Sequence, residues 1–218
     1  MRTTWARRVL AGGIYLGSAV VIAWRLTELA LPRVTSWKNR RAAATFLSPE
    51  RGRLPLPETT IRYGTGENHA ILFTDYECPG CRAQEEILER TQGPGVEVSY
   101  RQLPIVSLHP HAVQAARIAV CSAKANAFEI AHRALVGDSS WSTAPDPSAW
   151  LESHGMPPAV AGRVGVCLAT TLPDSQIAAD RLLARRLGLN GTPGWVLADS
   201  VHVGVLLPAE LESTRLEQ

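Results

Sequence analysis

The 218-residue sequence lacks internal repeats and low-complexity tracts, which excludes solenoid and fibrous architectures. Aromatic residues make up only 6% of it, and no base-stacking platform or nucleic-acid fold motif accompanies the basic residues, so nucleic acid is set aside as a partner. Neither sign of charge dominates, because the formal net charge is +2. That small sum hides an asymmetry. Residues 1–62 carry eleven Lys/Arg against three acids, and residues 63–218 eleven against seventeen. A basic arm therefore precedes a mildly acidic remainder. Cysteine is scarce, four in all, and two of the four stand three positions apart. A hydrophobic content of 45% is that of a globular protein with one sizeable core and an appendage.

No apolar run reaches the roughly 20 residues that a spanning helix wants. The longest N-terminal one, Val9–Trp24, has sixteen and follows Arg2, Arg7 and Arg8, the layout of a secretory signal or a short signal anchor. Leu26, Leu29, Ala30 and Leu31 extend it if Arg25 and Glu28 snorkel. Neither Ser18-Ala19-Val20 nor Ala23-Trp24-Arg25 makes a good cleavage site, so residues 1–31 are expected to form an uncleaved anchor, with a cleaved signal and a buried helix as alternatives. The flanking charges argue the other way: Arg25, Arg33, Lys38, Arg40 and Arg41 outnumber the upstream bases, and positive flanks stay in the cytoplasm. Trp24 and Trp37 suit an interfacial belt. Residues 32–60, punctuated by Pro49, Pro55 and Pro57, show no sustained period and read as a tether.

From residue 61 to 218 strand-like and helix-like patterns alternate. His69–Thr74 is an apolar strand and Pro79–Thr91 a helix on a charged background; Val96–Arg101 alternates as a second strand. Helical spacing follows at Pro110–Ser122, Ala125–Val136, Pro147–His154, Pro158–Ala169 and Asp174–Leu187, with Gly188 as a stop. Gly194–Ala198 and Val201–Leu206 read as a hairpin, and 208–215 as a last short helix. This order predicts an α/β fold, a mixed sheet with helices on its faces and a helical insert at about 108–187.

Cys78-Pro79-Gly80-Cys81 falls where the first strand meets the first helix. A cysteine at a helix start faces unpaired N–H groups and the positive end of the helix dipole, which favour the thiolate. The thiolate is the species that attacks a disulfide, and a second thiol one turn further in can resolve the mixed disulfide from within. Pro79 suits the first helical position. Asp75, Glu77, Glu85 and Glu86 oppose the thiolate by charge. Other readings of the pair are half of a zinc or copper site completed by His109 or His111, a structural disulfide, which closes too short a loop to stabilise much, and a non-enzymatic client-binding module.

Three stretches together, FTDYECPGC, YRQLPIVSLHPHAVQAARIAVCSAKANAFEIAHRAL and LGLNGTPGWVLAD, resemble the DsbA-like branch of the thioredoxin superfamily over residues 63–207. The resemblance implies a thioredoxin-like fold and thiol-disulfide exchange, with Cys78 as attacking thiolate and Cys81 as resolving thiol. It also implies a cis Thr192–Pro193 bond against the pair, where the Thr192 backbone holds a substrate segment as an added strand. No cofactor is implied. The partners implied are exported proteins with exposed cysteines and a membrane redox partner, on the extracytoplasmic side.

Two features depart from that pattern. Leu72 occupies the position six residues before Cys78 where such enzymes often keep a buried carboxylate, and Pro79-Gly80 contains no histidine. Strand alternation sends Asp75 and Glu77 to one side and Tyr76 to the other. Cys121 and Cys167 each read alone as small buried hydrophobes; export and an even cysteine count argue for pairing, and the resemblance implies a structural Cys121–Cys167 bond. No catalytic role falls to His109, His111 or His132, and Trp141, Trp150 and Trp195 read as packing residues.

Overall fold

The computed structural model describes residues 59–63, 68–90, 96–197, 200–207 and 209–210. Among these no helix is long and apolar enough to cross a membrane; the anchor expected over 1–31, nearly all of the tether and most of the helix expected over 208–215 lie outside the described residues.

A five-stranded sheet organises the domain in the order β1-β3-β2-β4-β5. Its strands are β1 Thr60–Tyr63, β2 Asn68–Thr74, β3 Val96–Gln102, β4 Gly194–Val196 and β5 Val201–Val203. Helix α1, Pro79–Arg90, connects β2 to β3, and these two strands run parallel, the pairing that a helical crossover allows. The other pairs, β1 with β3, β2 with β4 and β4 with β5, are antiparallel. Five helices follow β3: α2 Ala112–Lys124, α3 Phe128–Gly137, α4 Pro147–Ser153, α5 Pro158–Leu168 and α6 Leu172–Arg186, with a 3-10 turn at Ser139–Ser142 between α3 and α4.

The central strand shows why the sheet carries helices on both faces. In β2 the residues Ala70 to Thr74 are all buried, and alternation divides them. Ala70 and Leu72 join a core that holds Ile118, Phe128, Leu135, Trp141 and Trp195, so α2 and α3 cover that face. Ile71 and Phe73 join a second cluster with Ala184 of α6 and Leu187 just after it. An ion pair locks α6 down: Arg101 of β3 reaches Asp180 at 2.8 Å, with side-chain exposures of 8% and 3%, and Asp180 also accepts the Gln102 N–H at 3.0 Å.

Element ends follow local chemistry. Gly188, at φ 75°, closes α6 by donating to the Arg185 carbonyl at 3.1 Å while Leu189 donates to that of Ala184 at 2.9 Å, the paired closure that a left-handed glycine permits. The break between α2 and α3 falls at 125–127 rather than before Ala125, because Asn126 takes a positive φ of 56°, a conformation asparagine tolerates. Helix α2 begins at Ala112, two residues beyond Pro110, since the chain from Ile105 to His109 turns back on itself first. Strand β1 was not expected; its Arg and Thr, directly after a proline-rich stretch, give no apolar run, and pairing with β3 defines it.

Candidate active site

Cys78 immediately precedes α1. Its carbonyl accepts the N–H groups of Cys81 at 3.1 Å and Arg82 at 3.2 Å, and its own N–H donates to the Asp75 carbonyl at 3.0 Å. Pro79, at the first helical position, has no N–H to leave unpaired. Both cysteines are free thiols, and Cys81 is the deeper of the two, 2% exposed against 9%.

Behind the pair, Thr192–Pro193 is a cis peptide bond. Cys78 Sγ lies 3.4 Å from the Thr192 carbonyl oxygen. Gly80 makes this approach possible: a Cβ there would lie 3.2 Å from Pro193 Cδ, tighter than ordinary packing. The hairpin holds the proline loop in place, since the Gly204 N–H donates to the Pro193 carbonyl at 2.8 Å. Gln84 of α1 grips Leu206 from both sides, accepting its N–H at 2.7 Å and donating to its carbonyl at 3.1 Å.

These surroundings drive the two sulfurs apart in acidity. A hydrogen bond from Cys81 first, then one with the Thr192 side chain and the N–H groups of Cys81 and Gly80, outweigh burial and lower the Cys78 thiol to about 5. Cys81 moves the opposite way: donating to Cys78, burial and the charge of Cys78 all raise it, against weaker help from Asp75 and Thr74. The site therefore holds one thiolate and one thiol, an attacking sulfur and a protonated reserve.

Three of the four acids expected to oppose the thiolate are engaged inside the fold, and the fourth, Glu86, meets Arg90 at 3.5 Å on the surface. Asp75 and Glu77 do share a side, and it faces the loop before α2. Asp75 Oδ2 meets His109 Nδ1 and the Ile105 N–H, both at 2.8 Å; Glu77 meets His111 Nδ1 at 3.0 Å and its N–H at 2.7 Å. Tyr76 points away into the core, where its hydroxyl lies 3.0 Å from His132 Nδ1. His132 Nε2 lies 3.2 Å from Glu85 Oε2, which also accepts the Tyr100 hydroxyl at 2.9 Å. Leu72 is fully buried apolar surface.

The sequence offers His109 and His111 only as possible metal ligands and gives no sign of these carboxylate pairings beyond the matched spacing of Asp75 and Glu77 against His109 and His111. His109 and His111 each turn Nδ1 to a carboxylate, and among the described residues no group of three or more His, Cys, Asp or Glu is placed to hold a metal ion. Cys121 and Cys167 are joined by a disulfide between α2 and α5, with Cα atoms 5.6 Å apart, on the helical insert rather than at the site. Trp141, Trp150 and Trp195 are buried in the core.

A dithiol at the head of a helix beneath a cis-proline loop, on this sheet order, defines a class of protein. The thioredoxin family model matches residues 58–214, and the chain belongs to that family. Among solved structures, a linker-deletion variant of Proteus mirabilis ScsC is 22% identical, with 91% of this chain and 92% of that one covered and a TM-score of 0.60. The thiol-disulfide exchange protein α-DsbA2 of Wolbachia pipientis is 20% identical over 80% of this chain and 91% of its own, at a TM-score of 0.59. A periplasmic thioredoxin-like protein from Salmonella enterica serovar Typhimurium is 25% identical over 74% and 90%, at 0.52. These likenesses show a DsbA-like form of the fold. No curated protein matches the sequence.

Proposed function

We propose that this chain is a protein thiol-disulfide oxidoreductase that works as a disulfide donor to exported proteins. The observation that carries the reading is the split pair: Cys78 Sγ at the head of α1 against Thr192, its thiol lowered to about 5, with Cys81 one turn deeper and raised. A stabilised thiolate makes the reduced form the favoured one, and a reduced form so stabilised is what makes a dithiol pair oxidising.

In the donor direction a client thiolate attacks Cys78 Sγ of the Cys78–Cys81 disulfide. The S–S bond breaks toward Cys81, which takes up a proton and stays a thiol. A second client thiolate then attacks its own sulfur in the mixed disulfide, and Cys78 departs as the thiolate. Two electrons have passed from the client dithiol to the pair, and the client holds a new disulfide. Cys78 suits the final step because a low-pKa thiol leaves fastest.

The Thr192 backbone would align the client segment as an added strand. Apolar side chains flank that line: Val106 and Leu108 on the loop tied to Asp75, and Val203, Val205 and Leu207 on the hairpin side, are all more than a third exposed. Such surface suits an incompletely folded chain. A membrane partner would reoxidise the pair, and residues 1–31 would hold the domain on the extracytoplasmic side; release of the full chain from membranes by an alkaline wash would refute the anchor.

Equilibration of the full chain with glutathione tests the activity. A donor should titrate as a two-electron couple at about −120 to −180 mV. A value near about −270 mV would make it a reductant, and no two-electron couple would sink the oxidoreductase reading. Should the Cys78→Ser, Cys81→Ser double variant still serve clients, the site would be a binding groove without chemistry.

A further inference from the structure

The turn between the two sulfurs carries no histidine, yet one stands behind it on a separate loop. Asp75 is the link. Its carbonyl accepts the Cys78 N–H at 3.0 Å, its N–H points at Cys81 Sγ at 3.5 Å, and its side chain, 0% exposed, holds His109 Nδ1 at 2.8 Å. The Glu77 N–H, at 2.9 Å, and the Ile105 N–H, at 2.8 Å, also bind that carboxylate. Its position is therefore fixed with or without His109. What a protonated imidazole adds is charge.

We infer that His109 is a positioning residue of the exchange reaction, one that holds a cation behind Cys78 while Cys78 is a thiolate and so couples its own protonation to the redox state of the pair. This rests on the oxidoreductase reading above. Burial depresses the imidazole, but the bond to Asp75 and the charges of Asp75, Cys78 and Glu77 together outweigh it and raise His109. Glu77 is occupied by His111, the remaining titratable group of the same loop. On the other side of residues 103–107, Arg181 and Arg185 of α6 line the adjoining cleft.

The proton count follows. Oxidation of a client dithiol releases two protons for every two electrons; Cys81 takes one, Cys78 remains an anion, and the second is left over. An imidazole facing that new anion gains affinity for the leftover proton, and loses it again when the pair returns to a disulfide. Linkage makes the effect reciprocal: whatever the thiolate does for His109, the imidazolium does for the thiolate. For a partly exposed opposite charge the shift is at most about 1 pH unit, tenfold in the acidity constant of Cys78.

The test uses the full chain and two substitutions. His109→Asn keeps a donor near the Nδ1 position toward Asp75 but removes the charge; His109→Lys keeps a cation that does not titrate near neutrality. Ring signals of His109 are followed against pH in the dithiol and disulfide forms, and thiolate absorbance gives the Cys78 midpoint in each variant. The inference expects a higher His109 midpoint in the dithiol form than in the disulfide form, and a Cys78 midpoint raised by Asn, its acidity constant falling about threefold to tenfold, and restored by Lys. Equal His109 midpoints in both forms, or a Cys78 midpoint unmoved by Asn, would overturn it. If the wild-type pair makes no two-electron couple, the proposed function fails by itself, while the thiolate titration of the dithiol form still decides the role of His109.

Discussion

The acidity of Cys78 sets how the potential of the pair varies with pH. With Cys78 at about 5 and Cys81 raised, the two cysteines take up two protons on reduction below pH 5 but only one above it, where Cys78 stays ionised, and His109 adds to that count only near its own midpoint. The potential should fall by about 60 mV per pH unit on the acid side and about 30 mV on the neutral side, given the two-electron value of about 30 mV per decade. At pH 7 the thiolate outweighs the thiol by about two decades, so the pair is about 60 mV more oxidising than an otherwise identical one with an ordinary thiol. The same shift bears on stability. A thiol whose folded pKa is depressed contributes stability to the dithiol form that grows as pH rises above 5, is complete only above the unfolded value, and is lost as pH falls through 5. After discounting for solvent at the mouth of the site, that is about 1–2 kcal/mol at pH 7. Thiolate absorbance and glutathione equilibria measured from pH 4 to 8 check both claims. A thiolate midpoint at the usual free-cysteine value of about 8.5, with a single slope across the range, would refute the reasoning.

Three further outcomes follow from the geometry. Cys81→Ala should leave Cys78 covalently joined to clients, visible as mixed disulfides on non-reducing gels, and should raise the Cys78 midpoint because its largest hydrogen-bond donor is gone. Replacing Cys121 and Cys167 together opens a bridge with a sequence separation of 46, which on the chain-entropy model costs about 4 kcal/mol of unfolding free energy; the Cys78–Cys81 potential should not move. Asp180→Asn removes the anion facing Arg101 inside the domain and should destabilise it by about 3–5 kcal/mol in denaturant melts.

The elements that rest on local pattern were legible. The apolar run of β2, the cysteine turn at its end and the glycine stop after α6 each declare themselves within a few residues, because each depends on burial or backbone conformation at its own position. What escaped was defined by distant partners. Strand β1 exists because β3 offers it an edge. His109, His111 and His132 look like ordinary loop and helix residues until the fold sets them against Asp75, Glu77 and Glu85, which are 34, 34 and 47 positions away in the chain. The direction of the Cys78 shift was legible from its place at the helix start, but its extent was not, because the effect of the nearby acids depends on where they turn: in space Asp75 and Glu77 turn to histidines and Glu85 to His132 and Tyr100.

The bridge between α2 and α5 places the protein among the clients of the chemistry proposed for it. A newly made chain carries four thiols, which admit three complete pairings, and only one of them leaves the reactive pair adjacent and the insert stapled. The first cysteines to emerge from the ribosome are the reactive ones, and their low-pKa member is quick to form and quick to release bonds. Maturation thus calls for a two-electron oxidant that joins Cys121 to Cys167 while leaving Cys78 and Cys81 to each other.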